Sequence, residues 1–308
     1  MSKKKIKYEL IDDFLQSQLK EHELLHLDFI KNTIDLEEQS LLGAAFKNCI
    51  NLKSLEIDLE FNEINDQGLS SIVTPLNYCK NIQNLELYIG SNNITAKGAL
   101  ELGDSLSKCE NLQTLIIQLA SNSIGQQGAF DMGLSLSKCN QISTLFLQLS
   151  QNNIGNQGIS HIGNIYSGCQ NLSTIKLNVD KNNISDQGLQ NLGDHIQNCK
   201  SLQLFELSIY SNNVGDQGSE CLGAALSQCP KLIGIKIDLE SNDISNKGMI
   251  SFVTSLSKNQ NLSTLILCLG GNKIDQHCEK YFQKLTLKMI KLIKSIVYLT
   301  EEKSCNTC

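Results

Sequence analysis

Residues 171–200 read NLSTIKLNVDKNNISDQGLQNLGDHIQNCK, and this 30-residue phrase is the unit from which the architecture of the chain follows. Its first half alternates apolar and polar residues with a period of two, which is typical of a strand with one buried face. In its second half the apolar residues are three or four positions apart, as on the inner face of a helix. The phrase therefore predicts one strand followed by one helix.

The phrase recurs along the chain without insertion or deletion. Complete copies begin at Asn51, Asn81, Asn111, Gln141, Asn171, Ser201, Lys231 and Asn261, and a degenerate ninth copy begins at Glu21. One strand and one helix cannot bury their apolar faces alone, so the copies are expected to stack. The repetition predicts an α/β solenoid shaped as a horseshoe, with a parallel concave β-sheet, convex helices and about nine 30-residue repeats.

Two residue columns indicate how the repeats are held together. Asparagine occupies the twelfth position of all nine copies, from Asn32 to Asn272. Its amide can bond backbone groups of neighbouring turns, which would otherwise be buried without partners. Glycines such as Gly133 and Gly193 lie inside the predicted helices, where glycine costs about 1 kcal/mol relative to alanine. They indicate a close approach of helix to strand.

A third column consists of cysteine near the end of the predicted helix. Its members are Cys49, Cys79, Cys109, Cys139, Cys169, Cys199 and Cys229. Stacked repeats place these residues about 4.8 Å or more apart in a line, which does not suit a tetrahedral metal site. We interpret the column as small buried apolar side chains, with metal binding as the alternative.

Composition narrows the classes of partner and compartment. The chain has 308 residues, a net charge of −6 and no arginine, so nucleic acid is not an expected partner. No apolar run reaches the roughly 18 residues of a membrane span, and the N-terminus lacks the apolar core of a secretory signal. We therefore expect no membrane insertion, free thiols and a cytoplasmic protein, with the nucleus as the alternative compartment.

The repeats resemble the leucine-rich-repeat superfamily, in particular repeats of the ribonuclease-inhibitor type, which also occur in Ran GTPase-activating proteins. The resemblance covers residues 21–280 and rests on the L-x-x-L-x-L spacing, the asparagine column and phrases such as Asp66-Gln67-Gly68-Leu69. It implies that the concave sheet binds another protein. The strand phrase departs from the family by one additional apolar position before the asparagine, as at Leu59. The chain has no arginine, so any arginine-dependent feature of a Ran activator is absent.

Alternate strand residues that do not enter the core are expected to face the concave surface. Those on the early strands are acidic, and bulky apolar residues follow them. The candidate partner-binding residues are Glu56, Asp58, Glu60, Glu86, Tyr88, Ile116, Phe146 and Lys176. Apolar anchors beside a rim of one charge sign are typical of protein interfaces. The alternative is a solvated sheet face with scattered apolar residues.

The two ends of the chain are predicted to cap the solenoid, since repeat arrays need polar ends. Leu10, Ile11, Phe14 and Leu15 have helical spacing and place an N-terminal helical cap at residues 1–20. The solenoid follows at residues 21–280. Apolar residues and lysines between Tyr281 and Ile296 predict a C-terminal helical cap and tail at residues 281–308, with a helix lying on a membrane as the alternative.

No pattern for catalysis is present. The five histidines share no column with a nucleophile, and the chain has no P-loop, H-E-x-x-H or G-x-S-x-G motif. We predict no catalytic residue, metal site or cofactor. The predicted function is a monomeric, non-catalytic scaffold that binds a protein with a basic and partly apolar surface. A regulator of a small Ran-like GTPase is the alternative that the family resemblance adds.

Overall fold

A computed structural model describes residues 4–275, 278, 282 and 294–298 of the chain. Within these residues, 11 strands form one sheet in chain order, and every pair of neighbours is parallel. The strands are β1 Ile6–Tyr8, β2 Leu24–Asp28, β3 Ser54–Asp58, β4 Asn84–Tyr88, β5 Thr114–Gln118, β6 Thr144–Gln148, β7 Thr174–Asn178, β8 Leu204–Ser208, β9 Gly234–Asp238, β10 Thr264–Cys268 and β11 Lys294–Tyr298.

Helices alternate with the strands and cover one face of the sheet. In the part of the chain that the structure describes they are α1 Ile11–Leu15, α2 Leu36–Phe46, α3 Asp66–Val73, α4 Ala96–Leu106, α5 Gly125–Leu136, α6 Gly155–Gly168, α7 Asp186–Ile196, α8 Asp216–Ser227 and α9 Asn246–Leu256. Short 3-10 helices lie at Leu19–Glu21 and Thr74–Tyr78, the second of which begins next to Pro75.

The strand register reproduces the 30-residue period of the sequence. Leu25 pairs with Leu55 and Leu55 with Leu85, and the same offset continues to β10. A strand occupies about 4.8 Å across a sheet, whereas a helix is about 10 Å wide. Stacking one of each per repeat therefore makes the sheet concave and the helix layer convex. The predicted α/β solenoid is confirmed.

Alternate strand residues form the core between the two layers. Leu55 and Ile57 of β3 are fully buried, as are their equivalents on the other repeats, and helix residues such as Leu69 and Ile72 close over them. The core is therefore continuous along the solenoid. No helix in the described residues has both the length and the apolar character needed to cross a membrane.

The asparagine ladder joins each repeat to the previous one. Asn182 is fully buried. Its Nδ2 donates to the carbonyl oxygens of Leu149 at 2.8 Å and Asp180 at 3.0 Å. Its Oδ1 accepts the backbone N–H of Asn152 at 3.0 Å and of Ile154 at 3.2 Å. One side chain thus satisfies four backbone groups, as the asparagine column predicted.

The ladder also holds a strained backbone in place. The residue before the asparagine has a φ between 52° and 58° in eight repeats, and these residues are Lys31, Phe61, Ser91, Ser121, Gln151, Lys181, Ser211 and Ser241. A left-handed conformation costs a residue other than glycine about 1 kcal/mol or more. The hydrogen bonds of the asparagine offset that cost.

The glycine column reflects a contact between helices. A β-carbon at Gly133 on α5 would lie 2.3 Å from the backbone oxygen of His161 on α6, and one at Gly43 would lie 2.0 Å from the backbone oxygen of Ser71. The prediction that these glycines allow a helix to approach a strand is wrong, because the close neighbour is the adjacent helix. The reason is that each helix of the convex layer packs closely against the helix of the next repeat. The backbone of that next helix occupies the space in which a side chain at the glycine position would lie.

The N-terminal segment differs from the predicted helical cap. Ile6–Tyr8 forms β1, which pairs with Leu25–Leu27 of β2, and the α-helix is confined to Ile11–Leu15. A strand occurs here because the outer edge of β2 carries backbone groups that a further strand satisfies. The helical prediction is therefore wrong for residues 6–8, and residues 1–3 lie outside the described residues.

The C-terminal segment adds one more strand to the solenoid. β11 pairs Thr264 with Lys294 and Cys268 with Tyr298, which again is an offset of 30 residues. The predicted helix is wrong at 294–298, and the repeat does not stop after Cys278. Ser295 replaces the apolar residue found at this position in the earlier strands, which concealed the period. The remainder of the predicted cap, apart from Phe282, lies outside the described residues.

Candidate functional site

Five of the predicted partner-binding residues form a single row across β3–β7, here called the central row. The register places Glu56 beside Glu86, then Ile116, Phe146 and Lys176 on successive strands. Each of these side chains is half-buried. At about 4.8 Å per strand the row is about 19 Å long.

The other three predicted residues lie next to the start of that row. Asp58 pairs with Tyr88 in the adjacent row, and the Tyr88 hydroxyl donates to Glu86 Oε2 at 2.8 Å. Glu60 follows the end of β3 and is half-buried. We call the group formed by Glu56, Asp58, Glu60, Glu86 and Tyr88 the acidic end of the concave face.

Cations of the chain itself reach only part of this acidic surface. Lys5 Nζ contacts Glu56 Oε2, and His26 Nε2 lies 3.5 Å from Glu56 Oε1. Among the described residues, no lysine is within salt-bridge distance of Asp58, Glu60 or Glu86. The acidic end therefore has one neutralised carboxylate and three without a lysine partner in that part of the chain.

Two carboxyl groups at the acidic end, Asp58 and Glu60, have raised pKa values. Burial raises the pKa of Asp58, although the backbone N–H of Glu60 donates to it at 3.0 Å. Burial and the charge of Asp58 raise the pKa of Glu60. In contrast, the hydrogen bond from Lys7 lowers the pKa of Asp28. Because partial burial disfavours the ionised forms of Asp58 and Glu60, a cation arriving beside them would stabilise the charged state.

The opposite end of the row has a different electrostatic character. Lys176 Nζ lies 3.0 Å from Glu206 Oε1, so this predicted residue is paired within the sheet. Asp180 accepts hydrogen bonds from Ser208 Oγ and from the backbone N–H of Tyr210, both at 2.7 Å. A cavity of about 530 Å³ lies over these residues. Its polar groups largely bond one another.

Sequence reasoning missed two residues at the acidic end, Lys5 and Lys7. Both lie on β1 or next to it, and Lys7 pairs with His26 in the register of the central row. Their signal was the alternation Lys5-Ile6-Lys7-Tyr8, which has the period of a strand. At the other end of the sheet, β11 adds Ile296 and Tyr298, both half-buried.

The cysteine column forms a buried ladder along the helix ends. Cys79 Sγ donates to the backbone oxygen of Phe46 at 3.3 Å, and Cys229 Sγ donates to that of Ile196 at 3.3 Å, each 33 residues earlier. From Cys79 to Cys229 the ladder thiols therefore bond backbone carbonyls of the previous repeat, whereas Cys49 bonds Ala45 of its own helix. No group of three or more histidine, cysteine or acidic residues in the described chain is arranged to hold a metal ion.

The thiol ladder makes the fold sensitive to alkali. Burial raises the pKa of Cys79 from 9.0 to about 12. Between these values the unfolded chain releases the proton and the folded chain keeps it, so the free energy of unfolding falls as pH rises. Below the lower value both states are protonated, and no dependence arises. The expected loss is about 1.4 kcal/mol per pH unit for each thiol.

This alkaline loss is measured by urea unfolding at a series of pH values for the wild type and Cys79→Ser. The serine hydroxyl keeps a donor toward Phe46 and does not ionise in this range. We expect a smaller alkaline loss of stability in Cys79→Ser, by about one thiol's contribution. Identical slopes for the two proteins would contradict the assignment.

Comparison with known proteins agrees with the repeat architecture. A family model described as Leucine Rich repeat matches residues 48–73, 81–103, 171–193 and 236–253. Three of the matched segments lie within single 30-residue copies, and the first begins three residues before the copy that starts at Asn51. No curated protein sequence matches the chain.

Several solved structures resemble the chain. They include actin-binding site 2 of leiomodin-1 (19% identity, 40% of this chain and 70% of that one, TM-score 0.32) and internalin C2 of Listeria monocytogenes (17%, 83% of each chain, TM-score 0.41). A chain of the yeast Rad7–Elc1 complex matches at 14% identity over 98% of this chain and 78% of that one, with a TM-score of 0.50. At that identity, the third match concerns the fold alone.

Proposed function

We propose that this chain, whose repeats match the Leucine Rich repeat family model, is a non-catalytic interaction scaffold that binds a partner protein on its concave face. The partner surface is basic and partly apolar. It contacts the acidic end first and extends along the central row toward Ile116 and Phe146. This proposal assigns binding to Glu56, Asp58, Glu60, Glu86, Tyr88, Ile116, Phe146 and Lys176.

One observation carries the proposal, namely the carboxylates of Asp58, Glu60 and Glu86 with no lysine partner among the described residues. Burial raises the pKa of Asp58 and Glu60, so their charge is costly in the free protein. A lysine or arginine of a partner would remove part of that cost. Such complementarity accelerates association and selects partners of opposite sign.

Apolar groups beside the acid supply the second part of the surface. Ile116 and Phe146 are adjacent in the register and half-buried, so each leaves apolar area accessible to a partner. Interfaces place such anchors at the centre and charged groups at the rim. In this arrangement Lys176, already paired with Glu206, bounds the surface and contributes little attraction.

The fold is compatible with this use. A parallel sheet built from stacked repeats gives an extended concave surface, which repeat proteins use for binding. Rad7, whose complex with Elc1 provides the structural match, is itself found bound to another protein. That match concerns the fold alone, so it names no partner for this chain.

Charge reversal at the acidic end tests the proposal. Crosslinking of the native protein in cells identifies candidate partners, and binding is then measured with purified proteins. The combined variant Glu56→Lys, Asp58→Lys and Glu86→Lys should weaken binding at least 100-fold, because three attractive contacts become repulsive. The increased affinity of the wild type at low salt is a second expected result.

The matched control reverses exposed acidic residues away from the concave face. Glu110 follows α4, and Glu220 lies on α8 with an exposed side chain. Glu110→Lys and Glu220→Lys combined should retain the partner nearly at wild-type affinity. Equal affinity of the acidic-end variant and the wild type would move the binding site elsewhere.

The alternative function is regulation of a small Ran-like GTPase. It rests on the similarity of the repeats to those of Ran activators, and any activation would have to proceed without an arginine from this chain. A GTP-hydrolysis assay with small GTPases distinguishes the two functions, because a scaffold leaves the hydrolysis rate unchanged.

A further inference from the structure

The N-terminal strand places two lysines on the acidic surface of the same molecule. Lys5 Nζ contacts Glu56 Oε2. Lys7 Nζ lies 2.9 Å from Asp28 Oδ2 and 2.7 Å from Glu9 Oε1. The two strand residues that these lysines contact, Asp28 and Glu56, belong to the concave face.

The geometry of β1 explains how these contacts arise. Lys5 and Lys7 are two positions apart, so their side chains leave the same face of the strand, and Ile6 lies on the other face. Lys7 is in register with His26, and His26 with Glu56. The Lys5 side chain therefore extends over β2 to reach an acid on β3.

β1 does not depend on these ion pairs to stay in the sheet. Three of its residues pair with β2. The Tyr8 ring packs on Phe14, with 5.7 Å between centroids, and on His22, at 5.6 Å. Ion pairs between partly exposed side chains contribute little stability. The two lysines are therefore dispensable for folding, and their contacts with the acids can open while β1 stays in place.

We propose that Lys5 and Lys7 are internal competitors of the basic partner. This inference rests on the proposed function, since it concerns the same acidic surface. The two ammonium groups occupy Glu56 and Asp28 in the way a lysine of the partner would, and a partner must displace them to use these acids. Their positive charge also repels an approaching basic segment. The strand thus lowers the affinity of the surface and excludes weakly basic proteins.

Neutralising the two lysines tests the competition. The probe is a fluorescein-labelled hexalysine peptide, and its affinity is measured by fluorescence anisotropy at low ionic strength. The variant Lys5→Gln and Lys7→Gln combined keeps the side-chain length and polarity. We expect it to bind the peptide roughly three- to tenfold more tightly than the wild type, and this difference to shrink at high salt.

A matched control changes the net charge equally at other places. Lys97 pairs with Glu101 on α4, and Lys273 pairs with Asp243, both with strongly exposed side chains. Lys97→Gln and Lys273→Gln combined should bind the peptide within about twofold of the wild type, because these lysines contact neither Glu56 nor Asp28 and their replacement changes only the net charge. Circular dichroism establishes that both variants remain folded.

The outcomes separate the two proposals. Tighter binding by the N-terminal variant alone supports the competition. Equal affinities of the wild type and both variants, or equal gains for both variants, overturn the competition and leave the acidic surface as the binding site. Absence of peptide binding by all three proteins overturns the acidic site itself, and the competition with it.

Discussion

Replacing Asn182 by alanine is expected to lower the free energy of unfolding by about 4 kcal/mol. The side chain is fully buried and bonds four backbone groups of two adjacent repeats. Alanine leaves the N–H groups of Asn152 and Ile154 and the carbonyls of Leu149 and Asp180 without this partner. A buried polar group without a partner costs about 1–3 kcal/mol, and entry of water reduces the sum.

Equilibrium unfolding in urea, followed by circular dichroism, measures the loss. Asn32→Ala is the matched control, because Asn32 is exposed and donates to the backbone oxygen of Glu9 at 3.2 Å. We expect a change below about 1 kcal/mol there. Similar losses for the two variants would show that the ladder contributes no more in the interior than at the end of the solenoid.

An aspartate at position 182 separates the donor role from the shape of the side chain. Asn182→Asp keeps the size and the acceptor oxygens, but it presents a carboxylate to the carbonyl oxygens of Leu149 and Asp180. At neutral pH we expect a loss at least as large as for alanine, because a buried charge facing acceptors is unfavourable. A smaller loss at acidic pH would follow protonation of the carboxyl group.

The second large effect is expected at Gly133. A β-carbon there would lie 2.3 Å from the backbone oxygen of His161 and 2.9 Å from its carbonyl carbon. Alanine therefore forces α5 and α6 apart, and such overpacking costs about 1–3 kcal/mol or more. The greater helix propensity of alanine returns about 1 kcal/mol. We expect Gly133→Ala to destabilise the protein by about 2 kcal/mol.

Gly193 is the matched control because it occupies the same column one helix pair further along. Its added β-carbon would lie 3.2 Å from the Ala225 β-carbon, and the next atom is 3.6 Å away. A contact of 3.2 Å is relieved by a shift of a few tenths of an ångström between α7 and α8, whereas the backbone overlap of 2.3 Å at Gly133 requires a much larger one. Gly193→Ala should change stability by less than about 1 kcal/mol, since propensity offsets the close contact. Equal losses at the two positions would contradict helix crowding as the reason for the column.

The prediction of the concave face from sequence depended on the strand period. A period of two places Glu56, Ile116 and Phe146 on the same side of their strands, and the fixed 30-residue spacing places them in one row. Both relations can be read from the sequence. The period of two concerns adjacent residues of one strand, and the spacing is the number of residues in one repeat. Thus the row of candidate residues could be predicted without coordinates.

The counter-ions could not be predicted in this way. Lys5 and Lys7 lie outside the repeat frame, with Ile6 paired to Leu25 only 19 positions later, so no spacing rule places them opposite Glu56 and Asp28. Their position depends on the unsatisfied edge of β2. The same holds for β11, where Ser295 and the surrounding lysines favour a helical interpretation, while the edge of β10 favours a strand.

The sequence alone determined the period, the inward and outward faces, the asparagine ladder and the thiol column. These features follow from the groups that each repeat must bury, and the same buried positions recur in every copy. The contacts between repeats became evident from the folded chain: helix against helix at Gly133, left-handed backbone at Gln151, and Lys5 against Glu56. The physical reason is that those contacts are set by the curvature of the stack and by its open edges, which no single repeat contains.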